Sequence, residues 1–263
     1  VARVAAQRLD EAVAERTGVT RSRARSLIIA GRVRVDGRPA TKPGTPVSAS
    51  AVLAVERARP FVSRGGEKLE GALVAFGLDV TGARGLDIGA STGGFTDCLL
   101  KRGAAHVTAL DVGYGQIALA LRADPRVRVI ERTNFRLVAP GSLGEPFDVV
   151  TIDASFISVV TLVERARAFL SDDGTIVALI KPQFEAGRER LGRGGVVRDA
   201  AVHRAILYEV RDAIAALGLV ANHVCASGLR GPAGNVEFFA LVRRDGMPYG
   251  DAAIEAALAN AAA

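Results

Sequence analysis

The sequence predicts an α/β fold, a doubly wound and mostly parallel sheet, preceded by a small α+β module. Three observations carry this expectation. Between residues 61 and 245, short apolar runs alternate with segments of helical periodicity, the pattern of a parallel sheet covered on both faces. The first of these runs ends in Asp87-Ile-Gly-Ala-Ser-Thr-Gly-Gly94, a glycine-rich turn that opens a helix at 95–102. Charge is also divided unevenly: residues 1–60 hold 12 Lys/Arg and 5 Asp/Glu, net +7, while the remaining 22 and 23 give −1. A small basic module beside a near-neutral one suggests an attachment for a polyanion; a solvated charged face is the plainer alternative.

Composition bounds the rest. A chain of 263 residues, 49% hydrophobic, can bury a core and hold two domains. Its only cysteines, Cys98 and Cys225, sit in apolar runs away from His at metal-ligand spacing, so no metal is expected. Arg3, Arg8, Asp10 and Glu11 stand where an apolar leader would lie, and no run approaches the ~18 apolar residues of a membrane span. A cytoplasmic protein is expected, and nothing in the sequence demands more than a monomer.

In the basic module, 4–16 reads as a helix with Leu9 and Val13 on one face, ended by Gly18. Thr20 is a suitable N-cap for a second helix, 21–30, stopped by Gly31. Ala24, Leu27 and Ile28 supply its apolar face, Arg21 and Arg25 lie one turn apart, and Arg23 projects nearby. Arg32-Val-Arg-Val35 alternates as a half-buried strand, Asp36-Gly37 turns, and Val47, Val52, Leu53 and Val55 continue a small sheet. The module has no aromatic residue, which favours phosphate and shape recognition over base stacking.

In the larger part, strands are expected at 85–88, 106–111, 127–130, 147–153, 175–181, 219–227 and 236–243, with helices including 159–170 and 199–217. The last two strands are joined by 228–234 without a helix; a hairpin there places one antiparallel strand in the sheet, as in class I methyltransferases. The glycine turn is neither G-x-G-x-x-G nor followed by Lys-Ser/Thr, so dinucleotide and P-loop readings are poor. Asp-x-Gly-x-x-x-Gly-Gly suits S-adenosylmethionine, whose sulfonium and methionine end need a carboxylate and close backbone. Asp111, 22 residues beyond Gly89, stands where a carboxylate holds a ribose diol, though a turn or cap Asp fits equally. Glu131-Arg-Thr133-Asn134 follows the third strand, a place for adenine contacts or for ordinary turn chemistry.

Polar residues end two apolar strands: Asp153 and Lys181. A lysine there is costly unless something uses or pairs it; a structural ion pair with Asp153 is the simple alternative. Lys68 before the first helix and Glu237 early in the last strand would each, alone, be surface residues.

Together these stretches carry two resemblances. Thr20-Arg-Ser-Arg-Ala-Arg-Ser-Leu-Ile with Gly31-Arg-Val-Arg-Val-Asp-Gly37 resembles the small RNA-binding module of the ribosomal protein S-four family, which implies RNA contacts from Arg8, Arg21, Arg23, Arg25, Arg32 and Arg34. Lys68, Asp153, Lys181 and Glu237 resemble the Lys-Asp-Lys-Glu tetrad of FtsJ-like ribose 2′-O-methyltransferases. The closer resemblance is to the TlyA family, which joins the same two modules, through Ser63-Arg-Gly-x-x-Lys68-Leu, Gly89-Ala-Ser-Thr-Gly-Gly-Phe-Thr96, Asp111-Val-Gly-Tyr-Gly-Gln116, Glu131-Arg-Thr-Asn134, Asp153-x-Ser-Phe-Ile-Ser158, Lys181-Pro-Gln-Phe-Glu185 and Gly234-Asn-Val-Glu237. The resemblance implies a Rossmann-like class I S-adenosylmethionine-dependent fold and 2′-O-methylation of cytidine in ribosomal RNA of one or both subunits. It implies donor contacts from Asp87, Gly89, Ala90, Ser91, Thr92, Gly93, Gly94, Asp111, Thr133 and Asn134. The expected organisation is an RNA-binding domain at 1–59, a linker at 60–63, a methyltransferase domain at 64–246 and a tail at 247–263. Where some members have an Arg-Ala-Trp-Val-like linker, this chain has Arg59-Pro-Phe-Val62, with Pro60 stiffening a hinge at 57–60.

A ribose hydroxyl is a poor nucleophile, whereas the sulfonium methyl is already activated, so alignment and proton removal are what the protein must supply. Lys181 is expected at the centre, as neutral base or as the cation on a developing alkoxide. Like-charge repulsion from Lys68 would help it shed a proton, and Asp153 and Glu237 would orient the lysines. Competing readings are an amino-group methyltransferase, whose Asp/Asn-Pro-Pro-aromatic loop Asp153-Ala-Ser-Phe156 matches only at its ends, a pseudouridine synthase, a pore-forming haemolysin and a non-catalytic RNA-binding factor. Residues 185–198, rich in Gly and Arg, suit a substrate-facing loop or a surface insertion alike; His106, His203 and His223 share no motif and read as structural.

Overall fold

Strand pairing overrides helical periodicity at the start of the chain. In the computed structural model, which describes residues 6–56 and 60–262, residues Ala6–Arg8 form strand β1 and helix α1 spans Leu9–Thr17. The helix expected over 4–16 therefore starts at Leu9, because 6–8 find backbone partners in an antiparallel ladder with Pro46–Ser48; positions 4 and 5 lie outside the described residues. Helix α2 spans Arg21–Ile29, its cap Thr20 accepting the Arg23 N–H at 3.2 Å. Then follow β2 (Val33–Val35), β3 (Arg38–Ala40), β4 (Pro46–Ser48, the partner of β1) and β5 (Leu53–Val55), with β2 central between β3 and β5. Leu9, Val13, Leu27, Ile28 and Val33 form the core of this unit.

The chain divides into two compact units, Val1–Arg59 and Pro60–Ala263. Positions 57–59 of the expected hinge lie outside the described residues. In the second unit, the stretch 60–63 packs rather than links: Phe61 is buried against Leu69 and Phe95, and the Val62 N–H donates to Asp97 at 2.9 Å.

Its elements are α3 (Arg64–Phe76), β6 (Arg84–Ile88), α4 (Gly94–Lys101), β7 (His106–Leu110), α5 (Leu119–Arg122), β8 (Val127–Ile130), β9 (Phe147–Ile152), α6 (Val159–Ala166), β10 (Leu170–Ile180), α7 (Pro182–Glu185), α8 (Ala200–Ala216), β11 (Val220–Ala226), β12 (Phe238–Arg243) and α9 (Asp251–Ala262). The seven-stranded sheet runs β11-β12-β10-β9-β6-β7-β8, and β12 runs opposite to the other six strands. The helix expected over 159–170 stops at Ala166 because Leu170 pairs with Phe147 and opens β10, five residues earlier than expected, with a register shift before Thr175. The alanine-rich stretch expected as a tail is helical: Ile254 and Ala257 of α9 are buried, and the Tyr249 hydroxyl donates to the Leu207 carbonyl at 2.7 Å. The sheet leaves β6 in both directions, and at such a switch point the carboxyl ends of the strands open a ligand crevice.

Candidate active site

Two loops meet at that crevice. Gly89, with φ +84°, follows β6, and a Cβ there would overlap the carbonyl oxygen of Asp153 after β9. The Asp153 N–H donates to the Ile88 carbonyl at 2.9 Å, closing the two strand ends together. Gly94 allows close packing of helices: a Cβ on it would come within 2.9 Å of the Gly66 nitrogen, so its bare backbone lets α3 lie against α4. These two glycines thus serve protein-to-protein approach, a reason the spacing alone does not reveal.

A cleft of 610 Å³ lies over this junction, lined among others by Gly89, Ser91, Asp111, Thr133, Asn134 and Asp153. Asp111 is fixed at both oxygens, by the Ser91 N–H at 2.8 Å and the Gly113 N–H at 2.7 Å. Ser91 adopts φ +49° to present its amide. The Thr133 hydroxyl donates to the Glu131 carbonyl at 3.0 Å, and Asn134 Oδ1 accepts the Arg136 N–H at 3.1 Å. Ala90, Thr92, Gly93 and Gly94 shape the turn without lining the cleft. Asp87, expected to face the donor, is instead fully buried and does not line the cleft. Its carboxyl accepts the Thr96 N–H at 2.9 Å and hydroxyl at 2.7 Å, and the Thr151 hydroxyl at 3.1 Å. Burial pushes its pKa up to about 7, against the opposing pull of these hydrogen bonds.

Beside the cleft the four tetrad residues come to one edge of the sheet as two ion pairs. Lys181, following β10, places Nζ 2.6 Å from Asp153 Oδ1 and 3.1 Å from Ser155 Oγ. Lys68, on α3, pairs with Glu237 just ahead of β12; both are buried. Ile180 is in register with Phe238, which brings Glu237 beside Lys181 on adjacent antiparallel strands. Glu237 is thus sealed rather than edge-exposed, because the return strand is interior to the sheet. Each lysine has its own carboxylate, so the arrangement is of paired charges rather than two lysines in mutual repulsion.

Two nearby residues escaped the sequence reading of the tetrad. Glu185 accepts the Ser158 hydroxyl at 2.7 Å and the Val159 N–H at 2.8 Å, tying the turn after Lys181 to the loop after Asp153; burial raises its pKa. Phe156 adopts φ +64°, is 91% exposed at the cleft mouth and lies 5.1 Å from the Phe184 ring. Only its position shortly after a polar strand end hinted at such strain. Among the described residues, no group of three or more His, Cys, Asp or Glu is placed to hold a metal ion, and no helix is long and apolar enough to cross a membrane.

The N-terminal unit has its own charge centre. Asp10, fully buried, receives Arg8 at 3.0 Å and Arg21 at 3.2 Å, with Arg25 at 3.8 Å, while all three guanidiniums stay about half exposed. The Arg8 hydrogen bond is the largest influence that lowers the Asp10 pKa to about 2. Arg34 pairs with Glu56 at 3.3 Å, and Arg23 and Arg32 have no ion pair among the described residues.

A seven-stranded sheet with one reversed strand, a glycine turn after its first strand and a backbone-fixed aspartate after its second define a Rossmann-like class I methyltransferase. Residues 61–244 match the FtsJ-like methyltransferases and residues 7–53 match the S4 domain. The 16S/23S rRNA (cytidine-2'-O)-methyltransferase TlyA of Mycobacterium tuberculosis is 51% identical over 87% of this chain and 87% of its own. Hemolysin A of Brachyspira hyodysenteriae is 40% identical over 89% of this chain and 98% of its own. A solved hemolysin candidate from Streptococcus thermophilus superposes with a TM-score of 0.75 at 37% identity, covering 99% of this chain and 97% of that one. The chain belongs to the FtsJ-like methyltransferase family, in its TlyA branch.

Proposed function

We propose that this protein transfers a methyl group from S-adenosylmethionine to a ribose 2′-OH of ribosomal RNA, at a cytidine of the small subunit, the large subunit or both. The observation that carries this reading is the pairing of Lys181 with Asp153 beside the switch-point cleft, with Lys68–Glu237 on the adjoining strand end.

The cleft suits the donor: 610 Å³ lies within the range of small-molecule sites, and its polar groups are few and convergent. Asp111 would hold the ribose diol, Gly89 and Ser91 would lie along the donor, and Thr133 and Asn134 would stand near the adenine. When bound, S-adenosylmethionine supplies an electrophilic methyl on a sulfonium. The protein must then position a hydroxyl and manage one proton. Lys181, held by Asp153, donates to the 2′-oxygen; as the hydroxyl proton moves to Lys181, one of the lysine's own protons moves on to Asp153, whose side chain is partly exposed and releases it to solvent. Asp153, 2.6 Å away, accepts the lysine's hydrogen bond and fixes its direction. The Lys68–Glu237 pair anchors α3 to the strand end and sets the field behind Lys181. The S4-type unit would grip RNA phosphates through Arg8, Arg21 and Arg25, with Arg23, Arg32 and Arg34 on the same small unit.

The test is transfer of labelled methyl to isolated small and large ribosomal subunits, followed by alkaline digestion. Label on a nucleotide whose 3′ linkage resists alkali is the expected result, because a blocked 2′-OH cannot attack it. Alkali-sensitive label would move the chemistry to a base, and absence of label on subunits, 70S particles and free RNA would leave only RNA binding.

A further inference from the structure

The glycine- and arginine-rich segment at 185–198 and the turn at 228–236 have no part in the chemistry so far. The structure joins them. Asn235, buried, accepts the Val197 N–H on Oδ1 at 2.9 Å and donates through Nδ2 to the Gly195 carbonyl at 3.2 Å. Between these segments and α9 lies a cavity of 430 Å³, whose walls include Val197, Val236, Leu258 and the His203 ring and whose cations are Arg198 and Arg230. A second hollow of 240 Å³ shares Arg230 and Val236 with it and reaches Glu237. The turn passes directly over that acid: a Cβ on Gly231 would overlap the Glu237 carboxylate.

We propose that this cavity seats a nucleotide of the RNA substrate adjoining the methylated one, its base against the apolar wall and its phosphate on Arg198 and Arg230. The inference rests on the ribose reading above. An RNA strand whose target ribose meets Lys181 must place its neighbouring nucleotides within a few ångströms of the tetrad, and the smaller hollow counts the tetrad's Glu237 among its lining residues. Bases unstacked from a single strand seek an apolar face, and guanidiniums suit phosphate through paired donors. The lining offers both, aliphatic side chains and a ring together with two arginines. The His203 ring lies edge-on to Phe238 at 5.7 Å, and its buried Nε2 has no partner among the described residues.

The experiment uses the full chain, isolated ribosomal subunits and labelled methyl donor. The double substitution Arg198→Ala/Arg230→Ala should lower kcat/KM about 10-fold, chiefly through KM, and reduce the slope of log affinity against log salt by about 1 to 2. Ala200→Leu, which narrows the cavity without touching its charge, should raise KM and leave the salt slope alone. Methyl-donor binding, measured by calorimetry on each variant, reports that the fold persists. Wild-type kinetics in either variant would overturn the proposal while leaving the ribose reading in place. A photo-crosslinker at position 200 that captures ribosomal protein instead of RNA would also overturn it. If the wild type itself labels no ribose, the ribose reading fails first and this inference with it.

Discussion

Each unit of the molecule buries one aspartate completely, and the two are treated in opposite ways. Asp10 is ringed by Arg8, Arg21 and Arg25 and keeps its charge, with a pKa of about 2. Asp87 has only hydroxyls and one amide around it and is pushed to about 7. Burial by itself therefore says little about what a carboxylate does; the neighbours decide. In the small unit a retained charge aims arginines at solvent. In the larger unit a carboxyl of raised pKa latches the glycine turn to the start of α4, and charge is concentrated one to three strands away, in the Lys181–Asp153 and Lys68–Glu237 pairs.

That division can be tested by asking which property each residue controls. Lys181→Ala should lower kcat by on the order of 10³-fold while leaving affinity for ribosomal subunits near wild type, read by single-turnover methyl transfer beside a binding assay. A parallel loss of affinity would break the separation. Gly89→Ala should destabilise the larger unit by about 3 kcal/mol, since it adds a collision with the Asp153 carbonyl to a positive φ, and would show as a lower urea midpoint.

The two aspartates also differ in sign with pH. Asp87 has a raised pKa, so its contribution is present below its ordinary value of 3.8 and is lost as pH rises toward about 7. Asp87→Asn should flatten the fall in stability across that window, and an unchanged slope would mean the carboxyl is not the source. Asp10 has a lowered pKa, so its contribution is present above 3.8 and lost as pH falls toward 2. Asp10→Asn should be the mildest change: a several-fold loss of RNA affinity through disordered arginines, weaker acid sensitivity across that same window, and an unaltered kcat at saturating RNA.

The strand–helix alternation made the large sheet legible, down to the reversed last strand, because buried parallel strands must be apolar runs and a short glycine-rich link allows only a hairpin. Where a partner strand supplies hydrogen bonds, periodicity misleads: residues 6–8 and 170 were claimed by ladders with Pro46–Ser48 and Phe147. The alanine-rich end carried no pattern distinguishing a packed helix from a loose one, and its docking depends on Tyr249 and Ile254 meeting residues far away in sequence. At the site, Asp153 and Lys181 were visible because polar residues interrupt apolar strand ends. The burial of Glu237 and of Asp10 was not, since each depends on a partner brought from another element.

The Lys68–Glu237 pair has a consequence in time as well as in space. Its members are 169 positions apart, so during synthesis the lysine is made long before the carboxylate that neutralises it. Until β12 slides between β10 and β11, the first helix of the larger unit has a cation that its own pocket cannot satisfy, and a growing chain has reason to hold that helix open. The insertion of the last strand completes the sheet and this buried ion pair in one event, so a half-made chain has neither.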